Sequence, residues 1–343
     1  MKALLIGGTG IISTAISKRI LENGGELFLL NRGSRNDALD AKGKPGKLVE
    51  INCDIRADSV EAIVQKLKVA LGGERFDVVA DFFAFTPDHV AKDYAIFKDL
   101  CRQYIFISSA SAYQKPPSSH LITESTPLAN PYWEYSRNKI ACEEFLVAQY
   151  RENAFPITIV RPSHTYDERS VPLGVNDKKG SWQVVKRMIE GKPVIIHGDG
   201  TSLWTMTHNS DFASGFIGLM GNIHAIGEAV HITSDESLCW NQIYRAIADA
   251  LNVPLKAVHV SSEYLAHNSD YDFTGSLIGD KANSVIFDNT KLKRLVPGFC
   301  ATVRFDQGIK QTIAHVLNHK ECQTEDTEFD SWCDRIITEI YAR

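Results

Sequence analysis

Tyr135 and Lys139 stand four positions apart in the run Tyr-Ser-Arg-Asn-Lys, and Ser109 precedes them at the end of an apolar stretch. This spacing places the tyrosine and the lysine on one face of a helix, one turn apart. A tyrosine hydroxyl has an ordinary pKa of about 10 and is a poor base at neutral pH. Because a nearby ammonium favours the phenolate, the pattern predicts a lowered Tyr135 pKa and proton transfer at an oxygen held by Ser109.

A second tyrosine–lysine pair with the same spacing, Tyr94 and Lys98, has no strand-end serine at a comparable distance. We interpret it as a packed tyrosine and a solvated lysine on an ordinary helix. The pair is an internal control for the first one.

The amino-terminal segment predicts a phosphate-binding turn. Apolar residues 2–6 are followed by Gly7-Gly8-Thr9-Gly10 and then by the apolar pattern of a helix. The glycines let the backbone approach a pyrophosphate, and the helix amino terminus supplies N–H donors. Ser13 stands where the fingerprint has its third glycine, and a serine is small enough for close packing of helix on strand.

These motifs, with the strand-like run 105–113 that carries Ser109, resemble the extended branch of the short-chain dehydrogenase/reductase superfamily, the NAD-dependent epimerase/dehydratase family. The resemblance covers roughly residues 1–320 and implies an α/β fold: a Rossmann-type doubly wound parallel sheet with a smaller α/β substrate-binding lobe. It implies an enzyme that transfers a hydride to or from a nicotinamide cofactor, with Ser109, Tyr135 and Lys139 as its catalytic residues.

The same resemblance assigns residues to the cofactor and to the substrate. The expected cofactor contacts are Gly7, Thr9, Gly10, Ile11, Ile12, Asn31, Arg32, Arg35, Asp54, Ile55, Phe82, Phe83, Ala84, Lys139, Pro162 and Ser163. The expected substrate contacts are Ser111, His164, Tyr166 and Trp204. Trp204 occupies the place where sugar-nucleotide members of the family have a diphosphate-binding arginine, so we expect small uncharged or singly charged hydroxy compounds to bind better than nucleoside-diphosphate sugars.

The end of the predicted second strand bears on the choice between NAD and NADP. NAD-specific members have an acidic residue near this point, whereas this chain has Asn31, Arg32 and Arg35. An arginine suits the 2′-phosphate of NADP, so the sequence favours NADP over NAD.

Composition narrows the class of protein. The chain of 343 residues has 44% hydrophobic and 23% charged residues, which is typical of a soluble globular protein, and its net charge of −5 argues against a nucleic-acid surface. Seven scattered cysteines without a Cys-x-x-Cys motif indicate a reduced, cytoplasmic protein. We expect no signal peptide, no membrane span and no metal site.

Alternating strand and helix patterns predict helices over 57–70 and 87–101, a loop over 32–46 and the domain organisation. We expect a dinucleotide-binding domain over 1–166, to which the segment 205–235 returns, and a substrate lobe over 167–204 and 236–325. A C-terminal helix over 326–343 is expected to pack either on the lobe or on the second copy of a homodimer.

Three functions remain open from the sequence. The leading one is an epimerase or oxidoreductase acting on a small sugar-like alcohol; dehydration is disfavoured because Ala110-Ser111 replaces the Asp-Glu pair of the family's 4,6-dehydratases. The others are an RNA-associated protein, similar to chloroplast stem-loop-binding relatives of the family, and a dinucleotide-sensing regulator without turnover.

Overall fold

The computed structural model describes residues 1–32, 39, 41–176, 178–267 and 271–342. In the first half, strands and helices alternate as the sequence predicts. Their bounds are β1 Lys2–Ile6, α1 Ile11–Glu22, β2 Glu26–Asn31, β3 Lys47–Asn52, α2 Val60–Leu71, β4 Val78–Asp81, α3 Pro87–Phe97, β5 Tyr104–Ile107, β6 Leu121–Ile122, α4 Glu134–Asn153, β7 Ile157–Pro162 and β8 His164–Tyr166.

The second half is built from shorter elements. Their bounds are α5 Trp182–Ile189, β9 Val194–His197, β10 Leu203–Trp204, β11 Met206–His208, α6 Asn209–Leu219, β12 Ala229–Ile232, β13 Leu238–Cys239, α7 Trp240–Leu251, β14 Ala257–Val260, α8 Ser262–His267, a π-helix Thr274–Lys281, β15 Ile286–Phe287, α9 Thr290–Leu295, α10 Phe305–Asn318 and α11 Thr327–Tyr341.

The main sheet contains seven parallel strands of the described chain in the order β12-β7-β5-β4-β1-β2-β3. Strands β4 and β5 are buried along their whole length, because helices cover both faces of a doubly wound sheet. The connections change direction between β1 and β4, and open α/β sheets bind ligands at the carboxyl ends of such strands. The predicted fold class is confirmed.

Three groups of buried apolar residues form the core. One lies on each face of the main sheet, and the third fills the second lobe. The lobe core also takes in Tyr113 and Ile122 from the first half, and β6 pairs with β15. Leu292 and Phe299 pack with the main sheet instead. Segments other than 205–235 therefore also cross between the two lobes. The domain boundaries predicted from the sequence remain a proposal.

The C-terminal helix α11 packs on the second lobe. Trp332, Ile336 and Ile337 are buried in the lobe core. Arg187 of α5 donates to Oδ1 of Asp330 at 2.7 Å and to Oδ1 of Asp334 at 2.7 Å, which ties the helix to the lobe from its polar side.

Several predicted boundaries were wrong for local reasons. A helix expected over 57–70 begins at Val60, because the Ser59 hydroxyl caps it by accepting a hydrogen bond from the Ala62 N–H. The helix expected over 87–101 ends at Phe97, where the chain turns. The π-helix over Thr274–Lys281 has no counterpart among the sequence predictions. The loop predicted over 32–46 falls partly outside the described residues.

Candidate active site

The glycine turn between β1 and α1 is held by serines of the helix. The Ser13 hydroxyl donates to the Gly7 carbonyl at 2.7 Å and accepts from the Gly10 N–H at 2.8 Å. Ser17 donates to the Gly8 carbonyl at 2.9 Å. Gly7 has a φ of +79°, which few residues other than glycine adopt. Ser13 therefore ties the turn together at the place where the fingerprint has its third glycine.

A cleft of about 410 Å³ opens beside this turn at the carboxyl ends of β1 and β2. Its lining contains eight of the residues predicted for the cofactor: Gly7, Thr9, Gly10, Asn31, Arg32, Asp54, Ile55 and Phe83. Backbone N–H groups of Arg56 and Ala57 donate to Asp54 and lower its pKa, so its carboxylate is ionised in the cleft. An approachable glycine backbone, a helix amino terminus and polar groups at the end of β2 fit the adenosine half of a dinucleotide.

The other predicted cofactor residues lie outside the lining of this cleft. Ile11 and Ile12 open α1, and Phe82 packs against Phe216 with ring centres 5.7 Å apart. Phe82 therefore faces the core, unlike its neighbour Phe83. The Ala84 backbone lies beside the Lys139 ammonium. Arg35 lies outside the described residues.

Lys139 connects two strand ends beneath the site. Its buried ammonium donates to the carbonyl oxygens of Ala84 and Ile107, each at 2.7 Å. The ammonium is 5.7 Å from the ring centre of Tyr135 on the same helix. Burial lowers the pKa of Lys139 to about 8.

The pKa of Tyr135 is raised in the structure, so the lowered pKa expected from the sequence is wrong. Burial raises the Tyr135 pKa, and the neighbouring Ser109 hydroxyl only partly opposes this effect. The physical reason is that Lys139 is committed to two carbonyls, while the phenol is removed from water. In the structure Tyr135 is a protonated hydroxyl at neutral pH.

Ser109 begins a short chain of hydroxyls. Its Oγ lies 2.8 Å from Oγ of Ser111, which accepts a hydrogen bond from Ser136 at 2.7 Å. Asn130 donates to the Ser111 carbonyl at 2.8 Å. These bonds fix the orientation of Ser109 in front of the tyrosine.

A second cavity, of about 310 Å³, lies between the end of the main sheet and the second lobe. Its lining brings together eight residues that the sequence analysis names: Ser109, Ala110, Ser111, Tyr135, Pro162, Ser163, His164 and Trp204. His164 is neutral there, because burial lowers its pKa to about 3. A wider groove of about 1310 Å³ shares Trp133, Tyr135 and Lys281 with the cavity and opens it to solvent.

Tyr166 is a correction to the predicted substrate contacts. It is 2% exposed, and its ring packs edge-on against His208 and Phe305. It is not among the described residues that line the cavity. Tyr166 ends β8, and its ring lies in the lobe core.

The control pair behaves as the sequence analysis predicts. The Tyr94 ring packs against Phe145 and Phe155, with ring centres 6.3 and 5.2 Å away, and Lys98 is exposed. Neither residue lines a cavity with a serine hydroxyl among the described residues.

Comparisons with known proteins agree with this geometry. The model of the NAD dependent epimerase/dehydratase family matches residues 89–232. A 2'-dehydrokanamycin reductase from Streptomyces kanamyceticus is 25% identical over 87% of this chain and 80% of its own length. The chloroplast stem-loop binding protein of 41 kDa b from Arabidopsis thaliana is 25% identical over 74% of this chain and 64% of its own length.

The structure of UDP-glucuronic acid 4-epimerase from Bacillus cereus, in complex with UDP-glucuronic acid and NAD, superimposes with a TM-score of 0.72 at 17% identity. The match covers 93% of this chain and 99% of that one. The chain is therefore similar to the NAD-dependent epimerase/dehydratase family over residues 89–232 and shares the fold of that epimerase. No helix in the described part of the chain is long and apolar enough to cross a membrane.

A buried charge network lies under the segment 81–84. Arg56 donates to Oδ2 of Asp81 at 2.7 Å and to Oδ1 of Asp93 at 2.6 Å. Burial and the neighbouring Asp81 raise the Asp93 pKa well above its ordinary value. Asp81 also accepts from the Phe83 N–H at 2.6 Å, so the network holds the strand end that carries Phe83 and Ala84.

Sequence reasoning missed three charged residues that line the cavity of about 310 Å³: Lys115, Asp280 and Lys281. Lys115 lies in a proline-rich polar stretch, and the other two end the π-helix. Lysines and aspartates in polar segments are ordinarily solvent-exposed, so the sequence contained no signal that could have singled them out.

Proposed function

We propose that the protein is a nicotinamide-dependent oxidoreductase or epimerase acting on a hydroxyl or carbonyl group of a sugar-like small molecule. The observation that carries this proposal is the cavity of about 310 Å³ in which Ser109 and Tyr135 face polar and aromatic side chains of the second lobe. Its volume is about ten times that of a water molecule in the liquid, which suits one sugar ring.

The glycine-turn cleft is the proposed site of the dinucleotide. Gly7, Thr9 and Gly10 would bind its phosphates, Asp54 and Ile55 its adenine, and Lys139 with the 81–84 segment its nicotinamide half. When bound, the dinucleotide supplies the hydride acceptor or donor. Arg32 in the cleft supports NADP as the cofactor, whereas the NAD bound to the Bacillus cereus epimerase supports NAD. We propose NADP, because Arg32 belongs to this chain.

Tyr135 is the proposed proton carrier. Since burial keeps its hydroxyl protonated, Tyr135 is suited to donate a proton to a carbonyl oxygen that Ser109 holds. The reductive direction therefore needs no prior ionisation of the phenol. The reverse direction requires Tyr135 to lose its proton first, so that the phenolate can take a proton from the substrate hydroxyl, with the Lys139 ammonium 5.7 Å from the ring centre on the same helix.

Turnover of keto and hydroxy sugars tests this proposal. Wild-type protein should change the absorbance of reduced nicotinamide with at least one member of a panel of keto sugars and sugar alcohols. Tyr135→Phe should lower the rate by about 100-fold or more while sparing cofactor affinity, since only the ionisable oxygen is lost. The matched control Tyr94→Phe should keep the wild-type rate. A Tyr135→Phe protein with the full rate would remove the tyrosine from the mechanism.

The similarity to the stem-loop binding protein supports one alternative function, an association with RNA. An RNA-associated role is supported by the 25% identity over 74% of this chain and opposed by the net charge of −5. A gel-shift titration across salt concentrations separates the two functions, because phosphate contacts give a steep loss of affinity with salt. Specific RNA binding with such a slope would favour the alternative.

A further inference from the structure

Three ionisable groups in the substrate cavity take no part in the proton transfer proposed above. Lys115 is 5% exposed, and its ammonium lies 3.7 Å from Oδ1 of Asp280 and 5.9 Å from a ring centre of Trp204. The distance to Asp280 is longer than a hydrogen bond. No closer partner for the Lys115 ammonium is found among the described residues.

Lys281 is the second ammonium of the cavity wall. Its Nζ lies 3.5 Å from the Gly174 carbonyl, at the limit of a hydrogen bond. Lys281 and His164 line the same cavity. With His164 neutral, two ammoniums face one carboxylate, and the cavity carries a net charge of one positive unit.

Neutral donors of the cavity also lack partners. The indole N–H of Trp204 and the hydroxyl of Ser163 are buried and bond to no described residue. Both residues line the cavity, so they are available to the hydroxyl groups of a ligand. Burial lowers the pKa of Lys115 and of Lys281, and an anion between them would offset that effect.

We propose that the substrate carries one carboxylate, which the Lys115 and Lys281 ammoniums bind while the reacting hydroxyl or carbonyl lies at Tyr135 and Ser109. The inference rests on the function proposed above and names its substrate class, a sugar acid. One carboxylate neutralises the net charge of the cavity, whereas a diphosphate would bring two charges and a larger group. A neutral sugar would leave an ammonium buried without a counter-charge.

Calorimetry with matched ligands tests the proposal in the presence of saturating NADP⁺. The pairs are D-glucuronate with D-glucose and D-galacturonate with D-galactose, which differ at a single carbon. Wild-type protein should bind at least one acid about tenfold more tightly than its neutral partner. Lys115→Met should reduce that preference to less than about threefold. Lys179→Met is the control, because Lys179 pairs with Asp326 at 3.2 Å and does not line the cavity.

Asp280→Asn should change the preference for the acid in the opposite direction. Removing the carboxylate raises the net charge of the cavity, so the preference for the acid should increase severalfold, whereas a loss of folding would weaken acid and neutral sugar alike. If Lys115→Met is unstable, Lys281→Met should reduce the same preference. Any of three results would overturn the proposal. The wild type could bind acid and neutral sugar equally, both lysine variants could retain the preference for the acid, or neither ligand could bind.

Binding preference and turnover test the carboxylate site and the proposed chemistry separately. Turnover of a neutral sugar without preference for its acid would leave the oxidoreductase or epimerase standing and remove the carboxylate site. The opposite result is also possible. If an acid binds tightly and Lys115→Met weakens its binding, the carboxylate site is supported; if no sugar then oxidises or reduces the nicotinamide, the proposed chemistry is wrong.

Discussion

At the residue scale, the position of Lys139 explains how one side chain can serve both the tyrosine and the cofactor. Its ammonium links Ala84 at the end of β4 to Ile107 at the end of β5. The lysine therefore holds together the two strand ends between which the reaction is proposed to occur. Burial of the phenol sets the direction of the Tyr135 pKa, which is raised.

Lys139→Met should impair binding and turnover together. The variant keeps the apolar stem but leaves two carbonyls without their donor and removes the cation nearest to the phenol. We expect turnover to fall by about 100-fold or more and cofactor affinity to fall as well. Steady-state kinetics and cofactor titration measure the two effects. The control Lys98→Met should change neither, and normal cofactor affinity in Lys139→Met would contradict the binding role.

At the element scale, the end of β2 is proposed to decide which dinucleotide binds. Asn31 and Arg32 line the cleft, where an acidic residue would otherwise accept from a ribose hydroxyl. Their place beside the glycine turn follows from the pairing of β1 with β2. In the proposed complex, the element would present a hydrogen-bonding amide and a guanidinium to the adenosine ribose.

Arg32→Ala should weaken NADP binding by about 1.5–3 kcal/mol and leave NAD binding nearly unchanged, because a charged hydrogen bond to the 2′-phosphate is lost. Asn31→Asp should shift the preference further toward NAD. Titration of both variants with each cofactor measures the change. Equal losses for NAD and NADP in Arg32→Ala would remove the basis for proposing NADP.

At the scale of the whole molecule, a buried histidine links stability to pH. His197 is 1% exposed, packs against Trp240 with ring centres 4.9 Å apart, and lies 3.2 Å from the Lys281 carbonyl. Burial lowers its pKa to about 4, and the hydrogen bond to Lys281 only partly opposes this. His197 therefore stays neutral in the folded lobe until the pH is well below its ordinary pKa.

The sign of the pH effect follows from this depressed pKa. Between pH 6.5 and about 4 the unfolded chain binds a proton at His197 that the folded protein does not, so stability falls as the pH drops through this range. We expect His197 to account for a loss of about 2 kcal/mol in the free energy of unfolding between pH 7 and pH 5. His164 acts in the same direction.

Denaturant unfolding at both pH values measures this loss. His197→Gln should be less stable than wild type at pH 7, because it disturbs a packed core, but its stability should depend less steeply on pH. Parallel curves for the two proteins would show that His197 does not carry the effect.

The sequence by itself determined the parts of the protein that depend on neighbouring residues in the chain. The helical spacing of Tyr135 and Lys139, the glycine turn after β1 and the strand that ends at Ser109 are local patterns, and the structure builds the predicted elements from them. The alternation of strands and helices likewise predicts the parallel sheet, because its period is visible in short windows.

The tertiary structure alone decided what surrounds these residues. Lys115 and Asp280 are far apart in the chain and meet because β6 pairs with β15 at the lobe interface. The raised pKa of Tyr135 depends on every atom that excludes water from it, and no spacing rule contains that quantity. The charge of the substrate cavity is therefore a property of the folded molecule, since it is the sum of groups that only folding brings together.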